Sequence, residues 1–256
     1  MLKHSTGATA RVAPRGALDR LRQLVLTAVI AGLVAGVLLT GLQRIAVVPL
    51  ILEAETYETA ADAQTHAHDT AAAPSDDAAA EEESGASRFW LTLLANLVSA
   101  AGFGLLLAAG MSLIAALGRR VDWKKGLLWG LAGYGAFQLA PALGLPPEIP
   151  GAAAAELAAR QGWWVMTVLL TSVGLAWLAF APKPWMKALA IVPIVIPHLI
   201  GAPEPEHDGG LAPATLATQF VYAALITNGL FWLALGGLAG LVHSRFERRE
   251  IAAAQR

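Results

Sequence analysis

The sequence predicts an all-α, polytopic membrane protein with six transmembrane helices and both termini in the cytoplasm. Hydrophobic residues make up 56% of the 256 residues and charged residues only 14%, whereas charged residues form about a quarter of a typical soluble chain. The apolar residues are gathered in runs of the length that crosses a bilayer, which is about 20 residues. The basic residues cluster in the connections on one side of these runs.

Six apolar runs are candidates for the transmembrane helices. The first continues from Leu24 to Leu52 without a small-residue cleavage pattern, which indicates a retained anchor rather than a signal peptide. The fifth, between Lys187 and Glu204, is at the short end of the range that spans a bilayer. The predicted spans lie near 22–48, 89–117, 126–145, 162–181, 185–201 and 213–242.

The basic residues predict the orientation. With six spans, 15 of the 18 lysines and arginines fall on the side of the two termini. They lie in or beside the basic tails 1–21 and 243–256 and in the second and fourth connections. By the positive-inside rule this side is cytoplasmic.

The acidic residues show the opposite distribution. Fifteen of the 19 lie on the predicted outer side, and ten of these fall within 53–83. A negative outer face raises the local concentration of cations, although exported loops are often acidic for solubility alone. Residues 53–88 are rich in Ala, Asp and Glu without apolar periodicity, so we expect a disordered external loop there. Its tract 66–69 (HAHD) is compatible with loose metal binding.

The first, third and fifth spans run outward and end alike, with a proline followed within two turns by a glutamate. Proline removes a backbone donor and so frees a carbonyl one turn earlier. Such a carbonyl at membrane depth needs a partner in the protein or in a wet cavity. One hypothesis is that Glu53, Glu148 and Glu204 converge at one outer mouth, with His198 just beneath it. The alternative is that proline and glycine only end these helices at an interface where acids are common.

His198 is the most informative single residue, because an ionisable group within a membrane span usually lines a path or a site. Four further His, Asp or Glu residues follow it within ten positions, and imidazole and carboxylate groups bind borderline and hard divalent cations. The chain has no cysteine, which excludes disulfides and thiolate ligands. The candidate metal ligands are His198, Glu204, Glu206, His207, Asp208, Glu148, Glu53 and Gln138.

Other polar residues within the predicted spans are few. Gln43 and Gln138 could offer carbonyl oxygens to an ion or form hydrogen bonds between helices. Asn96 and Asn228 are better explained as structural residues, and the pair 163–164 (WW) as interfacial anchors. Closely spaced glycines in the predicted spans predict that helices approach closely. These are the pairs Gly32/Gly36, Gly102/Gly104, Gly126/Gly130 and Gly236/Gly240.

No sequence motif of a metalloprotease, a phosphate-binding loop or a serine hydrolase occurs in the chain. We therefore expect a protein that is not an enzyme. Two alternatives to a transporter stay open at this point. One is a non-conducting scaffold or metal-capture subunit. The other is an intramembrane enzyme that uses His198 as a base, although the sequence shows no evident nucleophile to go with it.

Several segments together resemble the CbtA family of proposed bacterial cobalt transporter subunits. The most specific ones are 145–151 (LPPEIPG) and 197–203 (PHLIGAP), and the similar segments include the glycine pair at 32–36 and Phe231-Trp232. The resemblance covers nearly the whole chain except the N-terminal tail and residues 60–88.

This resemblance implies a multi-pass subunit of the bacterial inner membrane that serves cobalt uptake for cobalamin synthesis. It also implies a small single-span CbtB-type partner subunit with a histidine-bearing terminus. Co²⁺, or Ni²⁺, would be the transported substrate, with no permanently bound cofactor. The metal ion and the lipid bilayer are the other expected partners; we expect no nucleic acid, and homo-oligomerisation stays open.

Overall fold

The structure is a computed structural model that describes residues 16–66, 77–206 and 209–255. These residues are helical apart from short connections and one isolated β-bridge, which confirms the all-α prediction. The α-helices of the described residues are α1 Ala17–Ala46, α2 Val48–His66, α3 Asp77–Ala116, α4 Trp123–Tyr134, α5 Ala140–Ala142, α6 Leu157–Phe180, α7 Pro184–Leu189, α8 Ile191–Ile200 and α9 Ala214–Ala254. A π-helical turn, Gly135–Leu139, joins α4 to α5.

Four helices of the described residues are long and apolar enough to cross a membrane, by length and composition. They are Leu18–Ala46, Gly85–Ala116, Leu157–Phe180 and Ala214–Arg249, and they correspond to the first, second, fourth and sixth predicted spans. The other two predicted spans are interrupted helices. The third consists of α4, the π-helical turn and α5, and the fifth consists of α7 and α8, which meet at Ala190.

The helices form a central group and a flanking pair. In the central group, α1 packs along α3 and α9, and α4 packs along the other side of α9. Buried apolar side chains of α1, α3 and α9 fill this group, among them Leu39, Met111 and Leu235. The flanking pair is α6 with α8, and it contacts the central group mainly through the π-helical turn and α5.

Glycines explain how α4 comes so close to α9. A methyl group on Gly126 would lie 2.3 Å from the carbonyl oxygen of Gly236, and one on Gly130 would lie 2.2 Å from that of Trp232. A methyl group on Gly240 would lie 2.5 Å from the carbonyl oxygen of Asp122. Two glycine pairs therefore interlock backbone against backbone, as their spacing predicts.

The glycine prediction is correct for α1 and only half correct for α3. A methyl group on Gly32 would lie 2.9 Å from the Cα atom of Ala101, and Gly36 is similarly close to the backbone of Asn96. Gly104 contacts the backbone of Ala28, but a methyl group on Gly102 would meet nothing within 4 Å. Positions 102 and 104 lie about 200° apart around a helix, so only one of them can face α1.

Residues 53–88 differ from the expected disordered loop. Within the described residues, α2 continues to His66 and α3 begins at Asp77. Alanine and glutamate are strong helix formers. In addition, Ala54 is fully buried in a cluster that contains Leu216 and Phe220 of α9. Tertiary packing at Ala54 and helix propensity therefore favour helix in 53–66 and 77–88, although these residues lack an apolar stripe of large side chains.

Helices extend into the two predicted basic tails. Helix α1 begins at Ala17 rather than near 22, while residues 1–15 lie outside the described part of the chain. Helix α9 does not end at 242 but continues to Ala254. The change from apolar to basic sequence marks a change of environment, which does not require the helix to end.

Candidate functional site

The two connections with similar sequences, 143–156 and 201–213, lie side by side on the predicted outer side. Ala152 and Gly210 form an antiparallel bridge, in which the N–H of Ala153 donates to the carbonyl of Gly209 at 3.0 Å. The N–H of Leu211 donates to the carbonyl of Gly151 at 3.1 Å. Gly151 and Gly209 have φ values of +71° and +119°, which favour glycine. The ends of the third and fifth predicted spans are therefore tied together.

His198 lies in the last turn of α8, which ends where the second of these connections begins. The residue is half-buried, and its Nε2 atom is buried without a hydrogen-bond partner. Its ring meets the indole of Trp163 edge to face, with 5.8 Å between the ring centroids. An imidazole nitrogen that is buried and makes no hydrogen bond is a suitable metal ligand, because binding an ion would satisfy it.

Trp163 positions this histidine, a role that sequence reasoning missed. The expectation of an interfacial anchor is wrong for Trp163, since only 6% of the residue is exposed. Its indole N–H donates to the carbonyl of Pro197 at 3.2 Å. Its ring also fills the space beside Gly144, where an added methyl group would lie 2.5 Å away. The indole thus joins α6 to α8 and to the first outer connection.

An acidic depression of about 530 Å³ opens between the two outer connections and the start of α6. Its lining includes Glu156, Glu204 and Glu206. The Glu156 carboxylate caps α6 by accepting the N–H groups of Ala158 at 2.9 Å and Ala159 at 2.7 Å. These two hydrogen bonds lower the pKa of Glu156 below its usual value. Glu156 therefore stays negative to lower pH than an ordinary glutamate does.

A second depression, of about 650 Å³, lies between the π-helical turn, α5 and α6. Gln138 of the π-helical turn lines it together with Glu148, Arg160 and Trp164. Arg160 Nη2 lies 2.6 Å from Glu148 Oε2, so this glutamate is already paired with a cation. Isolated π-helical turns occur frequently at functional sites, and here the turn places the Gln138 amide beside the carboxylate.

The comparison with known families decides the affiliation of the chain. A family model described as "Probable cobalt transporter subunit (CbtA)" matches residues 21–244. The chain belongs to the CbtA family. No curated protein and no solved structure matches it. The family assignment confirms the resemblance seen in segments 145–151 and 197–203, and it identifies a membrane subunit of a metal transport system.

Among the predicted ligands of this CbtA-family chain, the structure forms two pairs. Glu204 and Glu206 share the acidic depression, and Gln138 and Glu148 share the second one. Glu53 is exposed on α2 and lines neither depression. His207 and Asp208 lie outside the described residues.

These pairs do not amount to a preformed metal centre. No group of three or more His, Asp or Glu side chains in 16–66, 77–206 and 209–255 is arranged to hold a metal ion. The hypothesis that Glu53, Glu148 and Glu204 converge is therefore not supported as a three-carboxylate site. What the described part of the CbtA-family chain does present is acidic surface on the outer connections and the half-buried imidazole of His198 at the end of α8.

Proposed function

We propose that the chain is the membrane subunit through which a divalent transition-metal cation, Co²⁺ before Ni²⁺, enters the cytoplasm for cobalamin synthesis. The observation that carries this proposal is the match of residues 21–244 to a family of cobalt transporter subunits. The buried Nε2 atom of His198 supports it, because imidazole nitrogen is a preferred ligand of such borderline ions.

The proposed topology has six spans in the bacterial inner membrane, with both termini in the cytoplasm. The spans are α1, α3, α4 to α5 with the π-helical turn, α6, α7 with α8, and α9. The one-sided distribution of lysine and arginine supports this topology. The third and fifth spans contain irregular backbone, which is tolerated within a membrane where it is buried in protein. Both spans pack against α6.

The topology can be tested directly because the chain has no cysteine of its own. Single cysteines at Leu117 and Ala154 flank the third span, and those at Ala181 and Leu211 flank the fifth. We expect a membrane-impermeant maleimide to label Ala154→Cys and Leu211→Cys in intact spheroplasts, and the other two variants only after permeabilisation. Labelling of both members of either pair from the same side would exclude that span.

The proposed path starts at the outer acids and leads down to the histidine. Glu204 and Glu206 would attract the hydrated ion, together with His207 and Asp208, which follow them in the sequence. His198 would then replace part of the water shell. Glu148 and Gln138 would contribute only after the Glu148–Arg160 ion pair opens, since a paired carboxylate offers less charge to an incoming ion. Water and the CbtB-type partner would supply the remaining ligands.

Cobalt uptake by cells that produce His198→Ala tests the role of the imidazole. At equal membrane abundance we expect the variant to lose most of the uptake. Leu199→Ala is the matched control, because it removes the adjacent side chain of the same turn, which is 80% exposed. Uptake that is equal in the two variants would exclude His198 as a ligand.

Reconstitution distinguishes a chain that forms the ion pathway from the alternative, a metal-capture subunit that conducts nothing alone. Purified chain in liposomes loaded with a fluorescent cobalt chelator should admit Co²⁺ if it forms the pathway. Influx only in the presence of the CbtB-type partner would assign the pathway to the complex. Metal-independent turnover of a lipid without ion influx would favour the enzyme alternative.

A further inference from the structure

An apolar groove of about 440 Å³ runs between α3, α4 and α6, and Phe137 is shared between its lining and that of the second depression. Leucine, alanine and aromatic side chains make up most of its lining, including Leu107, Trp129 and Leu175. In this region α3 and α6 do not close over α4, because α4 packs mainly along α9. The groove is therefore open toward the surroundings of the helix bundle.

Basic residues occupy one end of this groove. Arg119, Arg120 and Lys125 line it there, and no aspartate or glutamate is among the lining residues. The Arg119 guanidinium lies over the ring of Phe180, 5.6 Å from its centroid, which holds it at the mouth of the groove. The Lys125 ammonium donates to the backbone carbonyl of Arg120. The nearby Asp122 carboxylate caps α4 by accepting the N–H of Lys125.

The length of the groove fits one leaflet of a bilayer. Its lining on α4 and the π-helical turn extends from Lys125 to Phe137, which at about 1.5 Å per residue is about 18 Å. Half of the hydrocarbon core is about 15 Å thick. An acyl chain that follows the groove would thus reach from the basic end to the middle of the membrane.

We propose that this groove is a binding site for an anionic phospholipid. The phosphate would lie among Arg119, Arg120 and Lys125, and one acyl chain would lie along Trp129 and Ala132 of α4. The charge of the mouth selects an anionic headgroup, and the apolar lining selects a hydrocarbon chain. Basic pockets between transmembrane helices are known to bind such headgroups. The three basic residues of this site are not among the residues of the proposed metal path.

Lipid binding to the purified full-length chain tests the proposal by native mass spectrometry in detergent. The probes are dioleoyl phosphatidylglycerol and dioleoyl phosphatidylcholine, which differ in headgroup charge but not in acyl chains. We expect the wild type to retain the phosphatidylglycerol in preference to the phosphatidylcholine. The triple variant Arg119→Gln/Arg120→Gln/Lys125→Gln should lose affinity by about tenfold or more, since each basic residue near an anionic headgroup contributes substantially.

Two further variants distinguish lipid binding in the groove from lipid binding to a charged surface. Lys124→Gln/Lys183→Gln/Lys187→Gln removes the same number of charges outside the lining and should keep the preference. Ala176→Phe fills the groove between α4 and α6 while it leaves every charge in place, and it should weaken binding as well. Equal losses in both charge variants, or full binding by Ala176→Phe, would overturn the proposal.

A cysteine at Ala176 tests for a different occupant in native membranes. We expect cross-linking to the acyl chain of a photoactivatable phosphatidylglycerol and no cross-link to another protein. A specific cross-link to the single-span partner would assign the groove to a protein helix and would also overturn the proposal.

Discussion

Asn96 shows how a single polar side chain organises the central helices. Its Nδ2 atom donates to Gln43 Oε1 at 2.7 Å and to Thr40 Oγ1 at 3.0 Å, so that α3 is linked to α1. Thr40 in turn donates to the carbonyl of Gly36. The structural interpretation of Asn96 is thereby supported. Of the two interpretations of Gln43, the structure shows the hydrogen bond between helices.

Replacing Asn96 by alanine should weaken the contact between α1 and α3. Hydrogen bonds between membrane helices contribute about 0.6–1.7 kcal/mol each, so we expect a loss of about 1–3 kcal/mol in the free energy of unfolding, measured by SDS titration in mixed micelles. Asn228→Ala is the control, because Asn228 donates to the carbonyl of Ala224 in its own helix. Equal effects of the two changes would contradict the assignment of Asn96 as a link between helices.

Glu156 predicts a pH-dependent contribution to stability. The N–H groups of Ala158 and Ala159 lower its pKa in the folded chain below the usual 4.5. A lowered folded-state pKa stabilises the fold above the unfolded-state pKa, and this stabilisation is lost as the pH falls through the folded-state value. We expect Glu156→Gln to lower the Tm at pH 7 and to have progressively less effect below pH 4.5. A Tm difference that persists unchanged at low pH would contradict this mechanism.

At the scale of elements, the contact of α4 with α9 is the most sensitive to added volume. Gly126→Ala would force a methyl group against the carbonyl of Gly236, so the helices must separate. Overpacking of this kind typically costs about 1–3 kcal/mol. Gly102→Ala is the matched control, since it adds the same methyl group in α3 where nothing lies within 4 Å. We expect reduced Tm and membrane abundance for Gly126→Ala only; a control that is equally impaired would refute the packing explanation.

The glycine pairs and the all-α class could be predicted from sequence because both depend on local spacing. The helices within 53–88 could not, because the burial of Ala54 against α9 involves residues more than 160 positions away. The contact of Trp163 with His198 was hidden for the same reason, since nothing local distinguishes that tryptophan from its neighbour Trp164. The interruption at Ala190 has a local signal, the prolines 184 and 193, which the hydropathy of the run conceals.

At the scale of the whole molecule, the proposed topology would give cations a direction, because it places most acidic residues on the outer side and most basic residues on the inner side. Of the candidate site, the sequence suggested His198 as a ligand and a shared outer mouth for Glu53, Glu148 and Glu204. The structure shows that the connections holding Glu148 and Glu204 are in contact. The sequence could not reveal that Arg160 holds Glu148 or that Glu156 caps a helix. Both depend on side-chain geometry across a loop, where spacing in the sequence carries little information.

If the membrane potential drives uptake, the rate should respond to it. A divalent ion gains roughly 4.6 kcal/mol per 100 mV, which corresponds to about three orders of magnitude in the equilibrium accumulation ratio. In liposomes with the complete transporter, a potassium gradient with valinomycin should accelerate Co²⁺ entry when the interior is negative. Equal potassium on both sides is the control, and entry that is unchanged by the gradient would point to an electroneutral mechanism.

The π-helical turn Gly135–Leu139 has a further consequence for how insertions and deletions act on this chain. A π-helical turn contains one residue more than an α-helical turn, and each residue advances an α-helix by about 100°. Deletion of one residue from the turn would allow an unbroken α-helix in which the residues after it keep roughly their present direction, because the extra residue is taken up within the turn itself. Straightening the turn at the present chain length would instead rotate everything after it by about that angle. Gln138, Pro141 and the connection leading to Glu148 would then leave the second depression, so the π-helical turn is what lets this chain length keep them there.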